Sequence, residues 1–167
     1  ASNLACTVPY KSGDADFDND VDITDVLAVV DFILEENVPT EDEFRNCDVN
    51  SDEEINIADV VMMIDINFGG TGRIVGFDAA EIAYIDLKTD FKKSLLTFEI
   101  EYNGSVRGIE FELKFDPTMV KVMPPSLLNF QENVMISYTE KEPGILKVLA
   151  ADLQGGHIEA TDNSYMS

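Results

Sequence analysis

The sequence is poor in basic residues and has no long hydrophobic run. It contains 11 lysines and arginines against 33 aspartates and glutamates, which gives a formal net charge of −22 over 167 residues. Such a charge repels phosphate backbones and anionic membranes, and it excludes nucleic-acid binding through a basic patch. No run of about 18 apolar residues is present, so no membrane-spanning helix is predicted. Cations are the partners that this charge favours.

Histidine and tryptophan are also scarce or absent. The single histidine, His157, follows Gly155-Gly156 in a polar stretch, and the chain has no tryptophan. A histidine without a cysteine partner or a nearby serine-nucleophile motif completes neither a zinc site nor a catalytic pair. We therefore predict no catalytic residues and no enzymatic activity.

The acidic residues are concentrated in the N-terminal part of the chain. Residues 1–72 hold eighteen acids and two bases, whereas residues 73–167 hold fifteen acids and nine bases. The run from Asp14 to Asp25 has an acid at almost every second position, and the run from Asp48 to Asp59 repeats it at a constant offset of 34 residues. Bound divalent cations would relieve the repulsion among these carboxylates.

This repeat has the pattern of a twelve-residue calcium loop. Ca²⁺ takes roughly six to eight oxygen ligands, which such a loop supplies from its first, third, fifth, seventh, ninth and twelfth residues. Magnesium is less suited to an all-protein oxygen cage. The sequence thus predicts two Ca²⁺ sites. The first comprises Asp14, Asp16, Asp18, the carbonyl of Asp20, Asp22 through a water molecule, and Asp25; the second comprises Asp48, Asn50, Asp52, the carbonyl of Glu54, Asn56 and Asp59.

The second loop is expected to be the weaker one. The sixth position of a calcium loop is usually glycine, and here it is Asn19 in the first copy and Glu53 in the second. Asparagine tolerates a left-handed backbone, whereas glutamate there should cost on the order of 1 kcal/mol.

Each loop leads into a segment with helical periodicity. Apolar residues at spacings of three and four predict one helix over residues 23–37 and another over residues 57–68, and the capping sequence that begins at Thr40 predicts a short helix between them. The buried face of the first helix is predicted to comprise Ile23, Val26, Leu27, Val30, Ile33 and Leu34.

Beyond the helices the apolar period changes to two. Alternation over residues 94–102 and 109–115, separated by Asn103-Gly104, predicts a β-hairpin, and further strands are expected at residues 81–87, 119–123, 134–139 and 145–151. The predicted class is α+β with two domains. Residues 1–68 form a small all-α calcium domain with an N-terminal lead-in, residues 69–76 a glycine-rich linker, and residues 77–167 an antiparallel β-sandwich of cohesin-like or generic jelly-roll type.

Residues 13–68 resemble a type I dockerin. The resemblance is carried by the duplicated loop with its following helix, by the aspartate that closes each loop, and by the linker helix between the copies. It implies a calcium-folded module that binds a cohesin domain through residues just inside each helix. The matching positions are Ile23 and Thr24 in the first copy, and Ile57 and Ala58 in the second.

Residues 77–167 are more weakly similar to a cohesin-like β-sandwich, through residues 106–117 and 146–152. A complete domain of this type needs further strands after Met166. We expect it to be either truncated or completed by a strand from a partner.

The two cysteines, Cys6 and Cys47, both lie in the acidic part of the chain. An even count in a calcium-rich context favours an oxidising compartment and a disulfide between them, the alternative being two free core thiols. The start at Ala1, without a methionine or a leader, is expected of a mature secreted protein or a trimmed one.

Together these features predict a secreted, calcium-binding, non-catalytic protein that mediates extracellular protein–protein assembly. Its partner would be a cohesin-like domain or another copy of itself, and head-to-tail association of copies would give a homo-oligomer or a fibril. The alternative is a fragment of a larger extracellular enzyme or cell-surface protein, such as a polysaccharide hydrolase, that carries a dockerin-like module.

Overall fold

The computed structural model describes residues 10–70, 83–90, 95–102, 106–124, 133–156, 158 and 165–166, with the backbone alone for 83–90, 95–102 and 165–166. The chain divides into two compact units, Ala1–Arg73 and Ile74–Ser167. The division falls within the linker predicted at residues 69–76, most of which lies outside the described residues.

The first unit contains three helices, α1 (Ile23–Ile33), α2 (Glu41–Cys47) and α3 (Ile57–Asn67). Each begins with a capping box, in which the N-cap side chain and the third helical residue exchange hydrogen bonds with each other's backbone amides. Helices α1 and α3 pack against each other. The core of this unit includes Val26, Val29, Val30, Ile33, Val60, Met63 and Ile64.

Helix α1 ends at Ile33, four residues earlier than predicted. Glu35 follows with a positive φ of 58°, and the Glu36 amide donates to the Asp31 carbonyl at 2.8 Å, as in a Schellman motif. Helix α3 ends in the same way, with Gly69 at a φ of 80°. Position 69 is equivalent to position 35 in the repeat, so the duplication extends through the helix C-termini. Glutamate at this position is not a recognisable stop signal.

The buried face of α1 also differs from the prediction. Ile23 and Leu27 are 43% and 48% exposed, whereas Val29, which the prediction omitted, is fully buried. The capping box fixes the rotation of the helix by holding Asp25 towards the loop. The buried stripe therefore runs through Val26, Val29, Val30 and Ile33.

The second unit contains antiparallel strands, which with the helices confirms the α+β class. The strands are β1 (Ala83–Asp90), β2 (Leu95–Tyr102), β3 (Gly108–Lys114), β4 (Val134–Glu142), β5 (Ile145–Asp152) and β6 (Tyr165–Met166). They form two three-stranded sheets, in the orders β1-β2-β6 and β3-β5-β4. In the second sheet, residues on both faces of the central strand β5 are buried.

The predicted hairpin between β2 and β3 is wrong. Strand β2 pairs with β1 and β6, whereas β3 pairs with β5. Alternation identifies a strand but does not specify its neighbour, and the Asn103-Gly104 signal lies outside the described residues. The strand predicted at residues 119–123 is also wrong, because residues 120–124 have no regular structure and follow a turn at 117–119. A sandwich of the two sheets stays a prediction.

None of the helices in the described part of the chain has the length and apolar character required to cross a membrane.

Candidate calcium centre

The two acidic loops share a set of equivalent internal hydrogen bonds. In the first loop the Asn19 amide donates to Asp14 Oδ2 at 3.1 Å, and in the second the Glu53 amide donates to Asp48 Oδ2 at the same distance. Each bond curls the loop around the carboxylate of its first residue. The sequence repeat is therefore also a structural repeat.

The aspartate that closes each loop is buried and ties the loop to its helix. Asp25 Oδ1 accepts from the Ala15 amide at 2.7 Å, and Asp25 Oδ2 accepts from the Asp22 amide at 2.8 Å. Asp59 accepts from the equivalent amides of the second loop at 2.9 and 3.0 Å. Burial raises the pKa of Asp25 and of Asp59, although these amide hydrogen bonds act in the opposite direction.

The ninth residue of each loop serves as a helix cap. Asp22 Oδ1 accepts from the Thr24 amide at 2.7 Å, and Asn56 Oδ1 accepts from the Ala58 amide at 2.8 Å. The hydrogen bond from the Thr24 amide lowers the pKa of the Asp22 carboxyl. The predicted contacts of the Asp22 and Asn56 side chains with calcium stay predictions. The same holds for the predicted contacts of the Asp20 and Glu54 carbonyls.

Three carboxylates of the first loop converge. One oxygen from each of Asp14, Asp16 and Asp18 lies within 4.8 Å of the others. Asp14 is 2% exposed, and its Oδ1 atom has no hydrogen-bond partner. A buried carboxylate oxygen without a partner carries an uncompensated desolvation penalty, which a cation would remove. An all-oxygen, anionic donor set of this kind fits Ca²⁺.

The second loop brings together Asp48, Asn50 and Asp52, but it satisfies their oxygens internally. Asp48 Oδ1 accepts from the Asp52 amide at 3.0 Å, and Asn50 Nδ2 donates to Asp52 Oδ2 at 2.7 Å. The second loop also has asparagine where the first has Asp16. A cation therefore meets fewer negative charges here and competes with an existing side-chain hydrogen bond.

Each loop has two non-glycine residues whose backbone φ is positive, in the left-handed region. The sixth residues, Asn19 and Glu53, have φ values of 71° and 70°, as the loop pattern predicts. The fourth residues, Phe17 and Ser51, have φ values of 63° and 60°, which the sequence analysis missed. Phenylalanine has no preference for this region, so its residue type carries no signal.

The comparisons with known proteins bear on this same part of the chain. Residues 12–66 match the family model for the dockerin type I domain. The predicted dockerin-like module is thereby confirmed, and we call residues 12–66 the dockerin module. Dockerin domains bind calcium and assemble with cohesin domains. A search of curated proteins and a search of solved structures gave no match to the chain. The cohesin-like character of residues 77–167 stays a prediction.

The only two bases among residues 1–72 are offset by the same 34 residues as the two loops, since Lys11 stands just before the dockerin module and Arg45 lies within it. The Lys11 ammonium donates to the carbonyl of Asn19 inside the first loop. The Arg45 guanidinium pairs with Asp42 at 3.0 Å and lies 5.6 Å from the centre of the Tyr10 ring. The two bases therefore make different contacts despite their common spacing, and the sequence carried no signal for either contact.

The predicted partner residues of the dockerin module differ in exposure. In the first copy Ile23 and Thr24 are exposed at the start of α1, beside the exposed Leu27. In the second copy Ile57 and Ala58 are half-buried at the start of α3. The first copy therefore offers the larger apolar surface, and the partner role of all four residues stays a prediction.

The predicted bridge between Cys6 and Cys47 is not supported. Cys47, at the end of α2, is a buried free thiol, and Cys6 lies outside the described residues. Burial, with the nearby Glu43, Asp25 and Asp59 carboxylates, raises the pKa of the Cys47 thiol to about 12. Cys47 thus has the character of a core residue, the alternative reading of the two cysteines.

Proposed function

We propose that the dockerin module binds two Ca²⁺ ions, folds fully only with them, and then presents a surface to a protein partner. The observation that carries this proposal is the buried Asp14 Oδ1 atom, which has no hydrogen-bond partner and lies in a cluster of three carboxylates. A native fold tolerates such an atom when something outside the chain satisfies it.

The residues that would hold the first ion are Asp14, Asp16, Asp18 and Asp25, with the Asp20 carbonyl and, through water, Asp22. When bound, calcium supplies positive charge among carboxylates that otherwise repel one another. The chain itself holds the loop closed through the amides that point at Asp14 and Asp25. Because the ligands come together only in the folded loop, binding free energy contributes to folding free energy.

The second ion would be held by Asp48, Asn50, Asp52 and Asp59, with the Glu54 carbonyl and Asn56. The hydrogen bond from Asn50 to Asp52 and the smaller number of carboxylates both favour a lower affinity than at the first site. We expect two binding events of unequal strength.

A calcium titration of two matched variants tests the first site. Asp14→Asn removes the charge of the first ligand with little change in shape, whereas Asp31→Asn makes the same change at an exposed position of α1 outside the loops. Calorimetry should show one binding event lost in Asp14→Asn and both retained in Asp31→Asn. Unchanged helix content with and without a chelator, together with no heat of calcium binding to the parent chain, would refute the proposal.

The surface for the partner would centre on Ile23 and Thr24, which are exposed, with Ile57 and Ala58 as the equivalent pair. The exposed Leu27 lies one turn after Ile23 and extends the apolar patch. The partner would be a cohesin-like domain, and binding would require calcium because the loops fix the start of each helix. Ile23→Asp should then abolish calcium-dependent binding to a cohesin, whereas Val38→Asp, at an exposed position beyond α1, should not.

We assign the second unit a non-catalytic role as a β-sandwich, and the whole protein to the extracellular space. Burial on both faces of β5 supports a covered sheet of the kind found in sandwiches. In their sheet, β3 and β4 each pair on one side only within the described residues, which leaves edges for strand addition. Head-to-tail self-association would instead place the dockerin module of one copy on the cohesin-like unit of the next, and a strict monomer in concentrated, calcium-containing solution would disprove it. The alternative is that the chain is a piece of a larger extracellular enzyme. The intact mass of the native protein would identify that case.

A further inference from the structure

One buried asparagine connects the two calcium loops. Asn46 is the penultimate residue of α2 and lies outside both loops, and its side chain is fully buried. Its Nδ2 atom donates to the backbone carbonyl of Asp14 at 2.7 Å, and its backbone carbonyl accepts from the Gly13 amide at 2.7 Å. Asn46 therefore holds the chain on both sides of the first ligand of the first loop.

The same residue is joined to the first ligand of the second loop. Asp48 is the C-cap of α2, and its amide donates to the Phe44 carbonyl at 2.9 Å. Its carboxylate accepts from the Asp52 and Glu53 amides, so it also anchors the second loop. Any change that fixes Asp48 fixes the last turn of α2, which contains Asn46.

No other backbone link of this kind joins the two loops in the described part of the module. Residues 20–22 and 54–56, where paired calcium loops often form a short β-bridge, belong to no strand. Val21 instead packs near Gly13, where a Cβ atom would lie 3.1 Å from Val21 Cγ1.

We propose that Asn46 is a positioning residue for the first calcium site and couples the two sites. This inference rests on the proposed function, because it requires that both loops bind calcium. A calcium ion in the second site would restrict the motion of Asp48 and the end of α2. The hydrogen bonds of Asn46 would then restrict the motion of Gly13 and Asp14. Coupling of binding free energies is reciprocal, so each site would strengthen the other.

Calcium titrations of the full chain in a double-mutant cycle test the coupling. Asp52→Asn disables the second site, and the affinity of the first site is then compared with and without Asn46→Ala. We expect Asp52→Asn to weaken the first site about tenfold when Asn46 is present, because the coupling is limited by the buried hydrogen bond that carries it, and one such bond is worth about this factor. The same change should alter that affinity less than about threefold in Asn46→Ala, because only the bond from the Gly13 amide to the backbone carbonyl of residue 46 then remains.

Loss of the Asp52 charge also weakens calcium binding at the first site directly, over a distance. This direct effect is the same with and without Asn46, so it cancels when the two comparisons are subtracted. Asn67→Ala, an exposed asparagine at the end of α3, is the matched control and should leave the tenfold effect intact. An equal effect of Asp52→Asn with and without Asn46, or no effect in the parent chain, would overturn the proposal.

Amide hydrogen exchange gives a readout that does not depend on affinity. In a chain with the first site disabled by Asp18→Asn, calcium should slow exchange of the Gly13 amide, which donates to the backbone carbonyl of Asn46, by a larger factor than exchange of the Leu34 amide, which donates to Val30 at the end of α1. Equal factors at the two amides, or no slowing at Gly13, would contradict the coupling, and this measurement remains decisive if Asn46→Ala does not fold. Absence of any calcium binding would instead refute the proposed function.

Discussion

Replacing Glu53 by glycine should stabilise the dockerin module, although most substitutions in a folded domain destabilise it. Glu53 is exposed and has a φ of 70°, in the left-handed region that L-residues avoid. The Glu53 amide donates to Asp48 Oδ2, and because the donor is a backbone group, glycine can make this hydrogen bond as well. Removing the side chain therefore removes strain without removing that contact.

The size of the effect follows from two opposing terms. A left-handed conformation costs an L-residue roughly 1–2 kcal/mol. Glycine adds freedom to the unfolded chain, which offsets roughly 0.4–1 kcal/mol of the gain. The net stabilisation is about 0.5–1 kcal/mol, equivalent to about 2–8 °C in the unfolding temperature of a domain of this size. Calcium affinity at the second site should rise about two- to fivefold.

Glu54→Gly is the matched control. Glu54 is also exposed and also loses one negative charge on substitution, but it does not have a positive φ. It should therefore lose roughly 0.4–1 kcal/mol, so the two variants shift in opposite directions. Thermal unfolding of the calcium-loaded chains, followed by far-ultraviolet circular dichroism, measures both. Equal destabilisation by the two variants would show that the left-handed backbone at Glu53 carries no cost.

Three further predictions concern acid, thiol chemistry and the second unit. In the metal-free module, burial raises the pKa values of Asp25 and Asp59, so the folded state binds protons more tightly than the unfolded state. The stability of the module should therefore increase as the pH falls from neutrality, and this gain should be lost as the pH rises again. Far-ultraviolet circular dichroism of the chain in chelator at pH 7 and pH 5 measures this as helix content, and a lower helix content at pH 5 would contradict it. Cys47 should not react with a thiol reagent at pH 8 in the calcium-loaded protein, because its thiol is buried with a pKa raised to about 12, and it should react after chelation. Reaction at equal rates in both states would contradict this. Failure to react in denaturant until a reductant is added would restore the predicted bridge to Cys6. Gly144→Ala should destabilise the second unit by about 2 kcal/mol or more, because φ is 89° there and a Cβ atom would lie 2.5 Å from the backbone oxygen of Phe115, just after β3. An unchanged unfolding transition would exclude this contact.

The two candidate calcium loops were predictable because their signals are local. The predicted ligands of each loop lie within twelve residues of one another, and the offset of 34 residues identifies the second loop from the first. Capping sequences are equally local, so the start of α2 after Thr40 was predicted correctly. The position of Glu35 at the end of α1 was not, because a left-handed glutamate resembles any other helical residue in the sequence.

Strand positions were also largely predictable, but strand partners were not. Alternation located β2, β3, β4 and β5 to within three residues at either end. Pairing depends on which strands the rest of the chain brings together, and here β3 joins β5 rather than β2. A turn signal such as Asn103-Gly104 favours one local pairing, and longer-range contacts override it.

By itself, the sequence determined the two acidic loops, the helices that follow them and the period-two character of the remainder, because these depend on spacing along the chain. Only the tertiary structure decided that Ile23 and Leu27 are exposed, that Asp14 Oδ1 is buried without a partner, and that Asn46 lies against the first loop. These facts depend on the packing of residues far apart in the chain. No local pattern in the sequence records that packing.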